Sequence, residues 1–142
     1  MRPAPLVLNT RDAAAWLRLS PGTVTFNVKT GRMPAIDLNA GMGANRKLAI
    51  PAAWLPLYRH LRSGGRLPDV QPEDAAVVGQ PELITISRVG DLLGVGRAKA
   101  SDIVRVWGLR LVDGKVRRDD LTDYLAELMA SAAASWNAGR DG

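Results

Sequence analysis

Two stretches of the chain share one pattern of apolar and polar positions at helical spacing. Shifting the first stretch by 76 residues places residues 8–11 on residues 84–87, and the apolar positions then agree without a gap over about 20 residues. The coinciding positions are Ala13, Trp16, Leu17, Leu19, Val24 and Val28 with Val89, Leu92, Leu93, Val95, Ala100 and Val104. Identity is low, so the pattern indicates two units of similar architecture.

Capping residues in the first unit predict two short helices joined by a turn. Thr10 is expected to cap the first helix with its hydroxyl group, and Ser20 followed by Pro21 is expected to begin the second. Gly31 is the expected left-handed residue after that helix. Two short helices joined by such a turn form a helix-turn-helix.

An alternating segment follows the first helix pair. Residues 35–38 alternate, residues 39–45 form a glycine-containing turn, and residues 46–50 alternate back as a basic strand, which predicts a β-hairpin. Pro51 then begins a helix. The apolar face of that helix comprises Trp54, Leu57, Tyr58 and Leu61.

The second unit repeats this order. Ser87 is expected to cap its first helix, and residues 97–107 form its second. The Asp113-Gly114 pair predicts a tight hairpin, because both turn residues need positive φ. Asp119 or Asp120 is expected to cap a last helix over about residues 120–135. The apolar stripe of that helix is Leu121, Tyr124, Leu125, Leu128 and Met129, and it either closes the second core or forms a homodimer.

These elements predict a mostly α fold with small β-hairpin wings, arranged as two tandem winged helix-turn-helix units. The units cover residues 5–62 and 83–135. Residues 63–82 are rich in glycine, proline and acidic residues without a period, which predicts a linker, and residues 136–142 form a tail.

Charge is distributed unevenly along the chain. The 142 residues carry a net charge of +5, and the pI is about 10.2. Residues 1–62 hold nine Lys/Arg and two Asp/Glu, a net charge of +7, whereas residues 63–82 carry −3 and residues 83–130 carry +1. The first unit is therefore the stronger candidate for contact with phosphate.

Residue types exclude several function classes. Without cysteine there can be no disulfide, thiol catalysis or cysteine-ligated metal. His60 is the single histidine, and no constellation of residues around it could carry chemistry, so we expect no enzyme, cofactor, metal or small-molecule substrate. No apolar run approaches the roughly 18 residues of a membrane span. We therefore expect a soluble cytoplasmic protein without membrane contact, associated with the nucleoid if bacterial.

Four segments of the first unit resemble the MerR/excisionase superfamily of small winged-helix proteins. They are an apolar-Thr-x-x-x-Ala-Ala-x-x-Leu opening over 8–17, a Leu-Ser-x-x-Thr-Val segment over 19–24, a Gly-Arg-x-Pro-Ala turn over 31–35, and a basic wing ending in Ile-Pro over 46–51. The resemblance covers about residues 5–62 and, more weakly, 83–130.

The resemblance implies double-stranded DNA as the partner, with the second helix in the major groove and the wing along the backbone or minor groove. Groove-facing residues would be Pro21, Gly22, Thr23, Thr25, Phe26 and Lys29. Phosphate-facing residues would be Arg32, Asn45, Arg46 and Lys47. The matching basic set in the second unit is Arg97, Lys99, Arg105, Arg110, Lys115, Arg117 and Arg118.

One pair departs from the family pattern. The family usually has a basic residue where Phe26 stands and an apolar one where Asn27 stands. Either the helix is rotated, or Asn27 is a semi-buried polar group that needs a partner. Among the tryptophans, Trp16, Trp54 and Trp107 are expected in the core, whereas Trp136 either docks on a partner subunit or is loosely held.

The sequence therefore predicts a non-enzymatic DNA-binding protein, either a transcription regulator or an excisionase-type recombination or architectural factor. Two alternatives remain open at this point. One is an architectural protein that bridges DNA without sequence preference. The other is a protein-interaction or phage-assembly module that uses the same fold.

Overall fold

The computed structural model describes residues 6–39, 47–71, 74–75 and 80–140. Within these ranges the chain is mostly helical, with six α-helices and two small three-stranded antiparallel sheets. The predicted fold class of helices with small β elements is confirmed at this level. Among the described residues, none of the helices combines the length and the hydrophobicity that a membrane span requires.

The first half of the chain contains three strands and three α-helices. In chain order they are β1 (Val7–Asn9), α1 (Thr10–Leu17), α2 (Pro21–Lys29), β2 (Ile36–Asp37), β3 (Leu48–Pro51), a 3-10 helix (Ala52–Leu57) and α3 (Tyr58–Arg62). The helix expected after Pro51 therefore starts as a 3-10 helix and continues as α3.

The second half has the same order of strands and α-helices. Its elements are β4 (Leu83–Ile84), α4 (Ile86–Leu93), α5 (Arg97–Val106), β5 (Leu111–Val112), β6 (Lys115–Arg117) and α6 (Arg118–Ala138). The strand orders β1-β3-β2 and β4-β6-β5 also correspond. Helices α4 and α5 begin 76 residues after α1 and α2, so the offset read from the sequence holds in the structure.

Each predicted hairpin is present but belongs to a three-stranded sheet. Strand β2 pairs with β3 as expected, with Ile36 opposite Ala49. Strand β1 adds to the other side of β3, and β4 adds to β6 in the same way. These additional strands have three and two residues, which is too short for alternation to reveal them.

Two predicted helix caps are wrong by one and two residues. Asn9, not Thr10, caps α1, since Asn9 Oδ1 accepts from the backbone N–H of Asp12 at 2.8 Å. Thr85, not Ser87, caps α4 through its hydroxyl oxygen. Both residues have the extended backbone of a strand end, which is the conformation that an N-cap requires. The cap predicted at Ser20 is confirmed.

The start of α6 also differs from the prediction. Arg117 is its N-cap residue and makes no side-chain cap bond, while Asp119 and Asp120 lie in the first turn. Their negative carboxylates interact favourably there with the positive end of the helix dipole. At the preceding turn, Asp113 and Gly114 have φ of 53° and 73°, which confirms the predicted tight hairpin.

One hydrophobic core runs through both halves. Trp107, which follows α5, is 6% exposed, and its ring stacks on Tyr124 of α6 with centroids 4.5 Å apart. Its indole Nε1–H donates to the carbonyl oxygen of Leu38, in the first half, at 3.2 Å. The core positions predicted for Trp54 and Trp107 are confirmed.

Helix α6 closes this core along its length. Leu121, Leu125 and Met129 of the predicted stripe are buried, and Tyr124 and Leu128 pack against the core. Of the two roles predicted for the stripe, it therefore closes the chain's own core. A homodimer through α6 stays a prediction and would have to use the exposed side of the helix.

The final turns of α6 bind the segment that was predicted as a linker. Helix α6 extends to Ala138, beyond the predicted end near residue 135. Trp136 is buried, and its Nε1–H donates to the Gly65 carbonyl oxygen at 3.0 Å. The Asn137 amide donates to the Leu67 carbonyl oxygen and accepts from its N–H. Trp136 is thus packed inside its own chain.

Trp16 is not in the core, contrary to the prediction. Its side chain is 56% exposed, whereas the equivalent Leu92 on α4 is 2% exposed. The difference arises because α4 contacts β1, and the Leu92 carbonyl accepts from the N–H of Leu6. The first half thus covers a side of α4 that stays open on α1.

Candidate nucleic-acid interface

The outer face of α2 is uncovered and carries no acidic residue. Val24 and Asn27 are buried on its inner side. The exposed residues of the helix are Pro21, Gly22, Thr23, Phe26 and Lys29. Of the six residues predicted to face the groove, these five are therefore exposed, and Thr25 is half-buried.

Thr23 is already hydrogen-bonded within its own helix. Its hydroxyl oxygen lies 2.7 Å from that of Ser20, and its backbone N–H donates to Ser20 Oγ. The pair satisfies donors of the first turn that have no partner inside the helix. A base contact by Thr23 would have to share or replace this bond, whereas Lys29 has no such constraint.

Arg32 lies beside the outer face of α2. The residue is exposed and follows the helix, and its guanidinium carbon is 5.6 Å from the centroid of the Phe26 ring. A guanidinium at this distance from an aromatic face is attracted by the ring quadrupole. Phe26, Lys29 and Arg32 therefore form one surface, which we call the α2 surface.

Asn27 has the partner that its burial demands. The residue is 2% exposed, and its amide Nδ2 donates to the hydroxyl oxygen of Tyr58 at 2.8 Å. Of the two explanations offered for the Phe26 and Asn27 exchange, the structure supports the buried polar group. This hydrogen bond joins the inner side of α2 to α3.

Tyr58→Phe is expected to destabilise the protein by about 1–3 kcal/mol, because the buried Asn27 amide would lose its partner. Urea unfolding followed by circular dichroism measures the change. In a Tyr58→Phe background, Asn27→Leu should recover part of the loss, since the unsatisfied amide is then absent. A Tyr58→Phe protein as stable as the wild type would contradict this role of the bond.

The base of the first wing is closed by an acidic side chain. Asp37 Oδ1 accepts from the backbone N–H groups of Asn39 and Lys47, both at 2.9 Å. Lys47 itself is half-buried. Asn45 and Arg46, the other residues predicted for this wing, lie outside the described residues. Asp37 was not singled out from the sequence, although a lone carboxylate at the start of a glycine-rich turn is a signal for such closure.

The outer face of α5 corresponds to that of α2. Arg97 and Arg105 are exposed, as predicted, while Lys99 is half-buried. Arg105 stands 76 residues after Lys29, so the repeat has an exposed basic residue at the same helical position in both halves. Asp102 lies 3.3 Å from Arg105, and both side chains are largely exposed, so this ion pair holds Arg105 weakly.

The second wing presents two basic residues on one side of β6. Lys115 and Arg117 are exposed, and Val116 between them is buried, as strand alternation requires. Glu82 is 3.9 Å from Arg117 in an exposed pair. Arg118 instead donates to the Gln80 carbonyl oxygen and is half-buried, so it serves the fold of this half.

Residues that could carry chemistry are scattered. In the described ranges, no three or more His, Asp or Glu side chains group as a metal site would require. His60 Nε2 lies 3.0 Å from the carbonyl oxygen of Arg66, in the turn after α3.

Comparison of the chain with protein-family models, with curated proteins and with solved structures finds no match.

Proposed function

We propose that this chain binds double-stranded DNA through two winged helix-turn-helix units of the MerR/excisionase type. The observation that carries the proposal is the equivalence of α2 and α5. Both are second helices of a repeated strand, helix, helix, strand, strand order, and both leave their outer face uncovered. Lys29 and Arg105 occupy the same position on these two faces.

The shape of these helices suits a duplex. An α-helix with its side chains is about 10–12 Å across, and the major groove of B-DNA is about 12 Å wide. With α5 in the groove, the exposed Lys115 and Arg117 of the adjoining wing would contact phosphate. On the first unit, Lys29 and Arg32 would contact phosphates at the edge of the groove. The role that fits these units is transcription regulation or excisionase-type recombination.

The test is a fluorescence-anisotropy titration of the whole chain with a mixed-sequence duplex over a range of salt concentrations. If about five phosphates are neutralised, the slope of log K against log salt should be near −4.5. A slope near zero, or no binding at low salt, would refute the proposal. If the chain bound all sequences with equal affinity and compacted long DNA, its DNA-binding role would be that of an architectural bridging protein.

Trp16 supports a second candidate, a protein-interaction or assembly module. Its ring is 56% exposed on α1 and belongs to neither proposed DNA face. Trp136, which suggested this role from the sequence, is packed against Gly65 and lends it no further support. This function would be established instead if the chain bound no duplex but bound a protein, and if Trp16→Ala abolished that protein binding.

A further inference from the structure

On α2 the apolar residue Phe26 is exposed and the polar residue Asn27 is buried, which is the reverse of what hydrophobicity favours. The Phe26 ring is 55% exposed on α2, and the neighbouring Asn27 amide is 2% exposed. Burial of an amide requires a dedicated partner, which Tyr58 supplies, whereas a buried ring would need none. This arrangement therefore keeps an aromatic ring on the outside of the helix at the expense of the core.

The second half provides an internal comparison for these two positions. At the same offset of 76 residues, Asp102 corresponds to Phe26 and Ile103 to Asn27. Ile103 is fully buried and Asp102 is half-exposed, as hydrophobicity favours. The repeated fold thus accepts an apolar residue inside and a polar one outside. The exchange in the first half is specific to α2 and is not demanded by the fold.

The surroundings of Phe26 are cationic. Lys29 is exposed three residues further along the helix, and the Arg32 guanidinium lies 5.6 Å from the ring centroid. An apolar partner surface alone would gain nothing from these charges. A duplex presents both a phosphate backbone and, in the major groove, one apolar group on a base edge, the C5 methyl of a pyrimidine.

We propose that Phe26 reads the C5 methyl group of a pyrimidine in the major groove, while Lys29 and Arg32 hold the adjacent phosphates. The proposal rests on the DNA-binding function above and adds its base preference. A phenyl ring has no hydrogen-bonding group, so it cannot distinguish bases by donors and acceptors. It can distinguish thymine from uracil, or 5-methylcytosine from cytosine, by covering the methyl group.

The experiment compares duplexes that differ only in this methyl group. The whole chain is titrated with an alternating dA-dT duplex and with its dA-dU counterpart, and separately with alternating dG-dC duplexes with and without 5-methylcytosine. Because thymine occurs at every second position, any binding register offers a methyl. Burial of one methyl group corresponds to about 0.8 kcal/mol, so the methylated duplex should bind about fourfold more tightly.

Phe26→Ala is the decisive variant, and Trp16→Ala is its matched control. Trp16 is 56% exposed on α1 and belongs to neither proposed DNA face, so its removal also deletes an exposed aromatic side chain. The Phe26 variant should bind methylated and unmethylated duplexes equally, while the Trp16 variant should keep the wild-type preference. Circular dichroism checks that both variants remain folded.

The outcomes separate three questions: which pyrimidine supplies the methyl group, whether Phe26 reads it, and whether the chain binds DNA. A preference for thymine over uracil identifies thymine as the source of the methyl, and a preference confined to the dG-dC pair identifies 5-methylcytosine. Wild-type binding that ignores the methyl in both pairs, or a preference that survives Phe26→Ala, overturns the role of Phe26 and leaves DNA binding intact. Absence of binding to every duplex overturns the proposed function and this inference together.

Discussion

Trp107→Ala is expected to destabilise the protein by about 3–5 kcal/mol, the usual cost of truncating a buried tryptophan. The substitution removes the ring that stacks on Tyr124 and the Nε1–H that bonds to Leu38, and it leaves a cavity between the two halves. Domains are typically stable by only about 5–15 kcal/mol, so this variant should be partly unfolded at moderate urea concentrations. Urea unfolding followed by circular dichroism at 222 nm measures the loss.

The chain offers a control with identical chemistry. Trp16→Ala truncates an exposed tryptophan, and we expect a change within about 0.5 kcal/mol. Trp107→Phe should fall between the two, since it keeps an aromatic ring near Tyr124 but leaves the Leu38 carbonyl without its donor. If Trp107→Ala and Trp16→Ala were equally stable, the contact between the halves would contribute little.

The second large effect concerns the salt dependence of DNA binding. If Lys29 and Arg105 each neutralise one phosphate, the Lys29→Ala/Arg105→Ala double variant should flatten the log–log slope by about 1.8, from near −4.5 to near −2.7. Between 50 mM and 200 mM salt the wild type would lose affinity about 500-fold, and the double variant only about 40-fold. Anisotropy titrations at four or more salt concentrations give both slopes.

Arg59→Ala/Arg62→Ala is the charge-matched control for that comparison. Both arginines are exposed on α3 in the first half, and neither belongs to the proposed interface. The control also removes two positive charges, but from positions outside the proposed interface, so its slope should stay near that of the wild type. Equal flattening by both double variants would mean that the net charge, and not the positions of Lys29 and Arg105, governs the attraction.

Features governed by neighbouring residues could be predicted from the sequence. The structure has the predicted Ser20-Pro21 start of α2 and the Asp113-Gly114 turn, which depend on local backbone chemistry. It also has the repeat offset, which the pattern of apolar positions along the chain reveals. Strands β1 and β4 escaped prediction because they are very short and are defined by distant partners on β3 and β6.

Burial was harder to predict, since it depends on which segment lies opposite in space. Trp16 and Leu92 share a pattern position, yet only Leu92 is covered by the other half. Asn27 required knowledge of Tyr58, a residue 31 positions away. In the candidate site, the predicted basic residues Lys29 and Arg105 are exposed, and so are Lys115 and Arg117 of the second wing. The carboxylate neighbours Asp102 and Glu82 became visible only in the structure.

The anchoring of α6 on residues 65–67 has a consequence for biosynthesis. Trp136 and Asn137 supply hydrogen bonds to the backbone of Gly65 and Leu67, about 70 residues earlier in the chain. During translation the first half emerges from the ribosome long before these partners exist. Its helices can form early, but the segment after α3 stays unanchored until residues 136 and 137 have left the exit tunnel. The segment after α3 therefore takes its final place only when residues about 70 positions later in the chain are available.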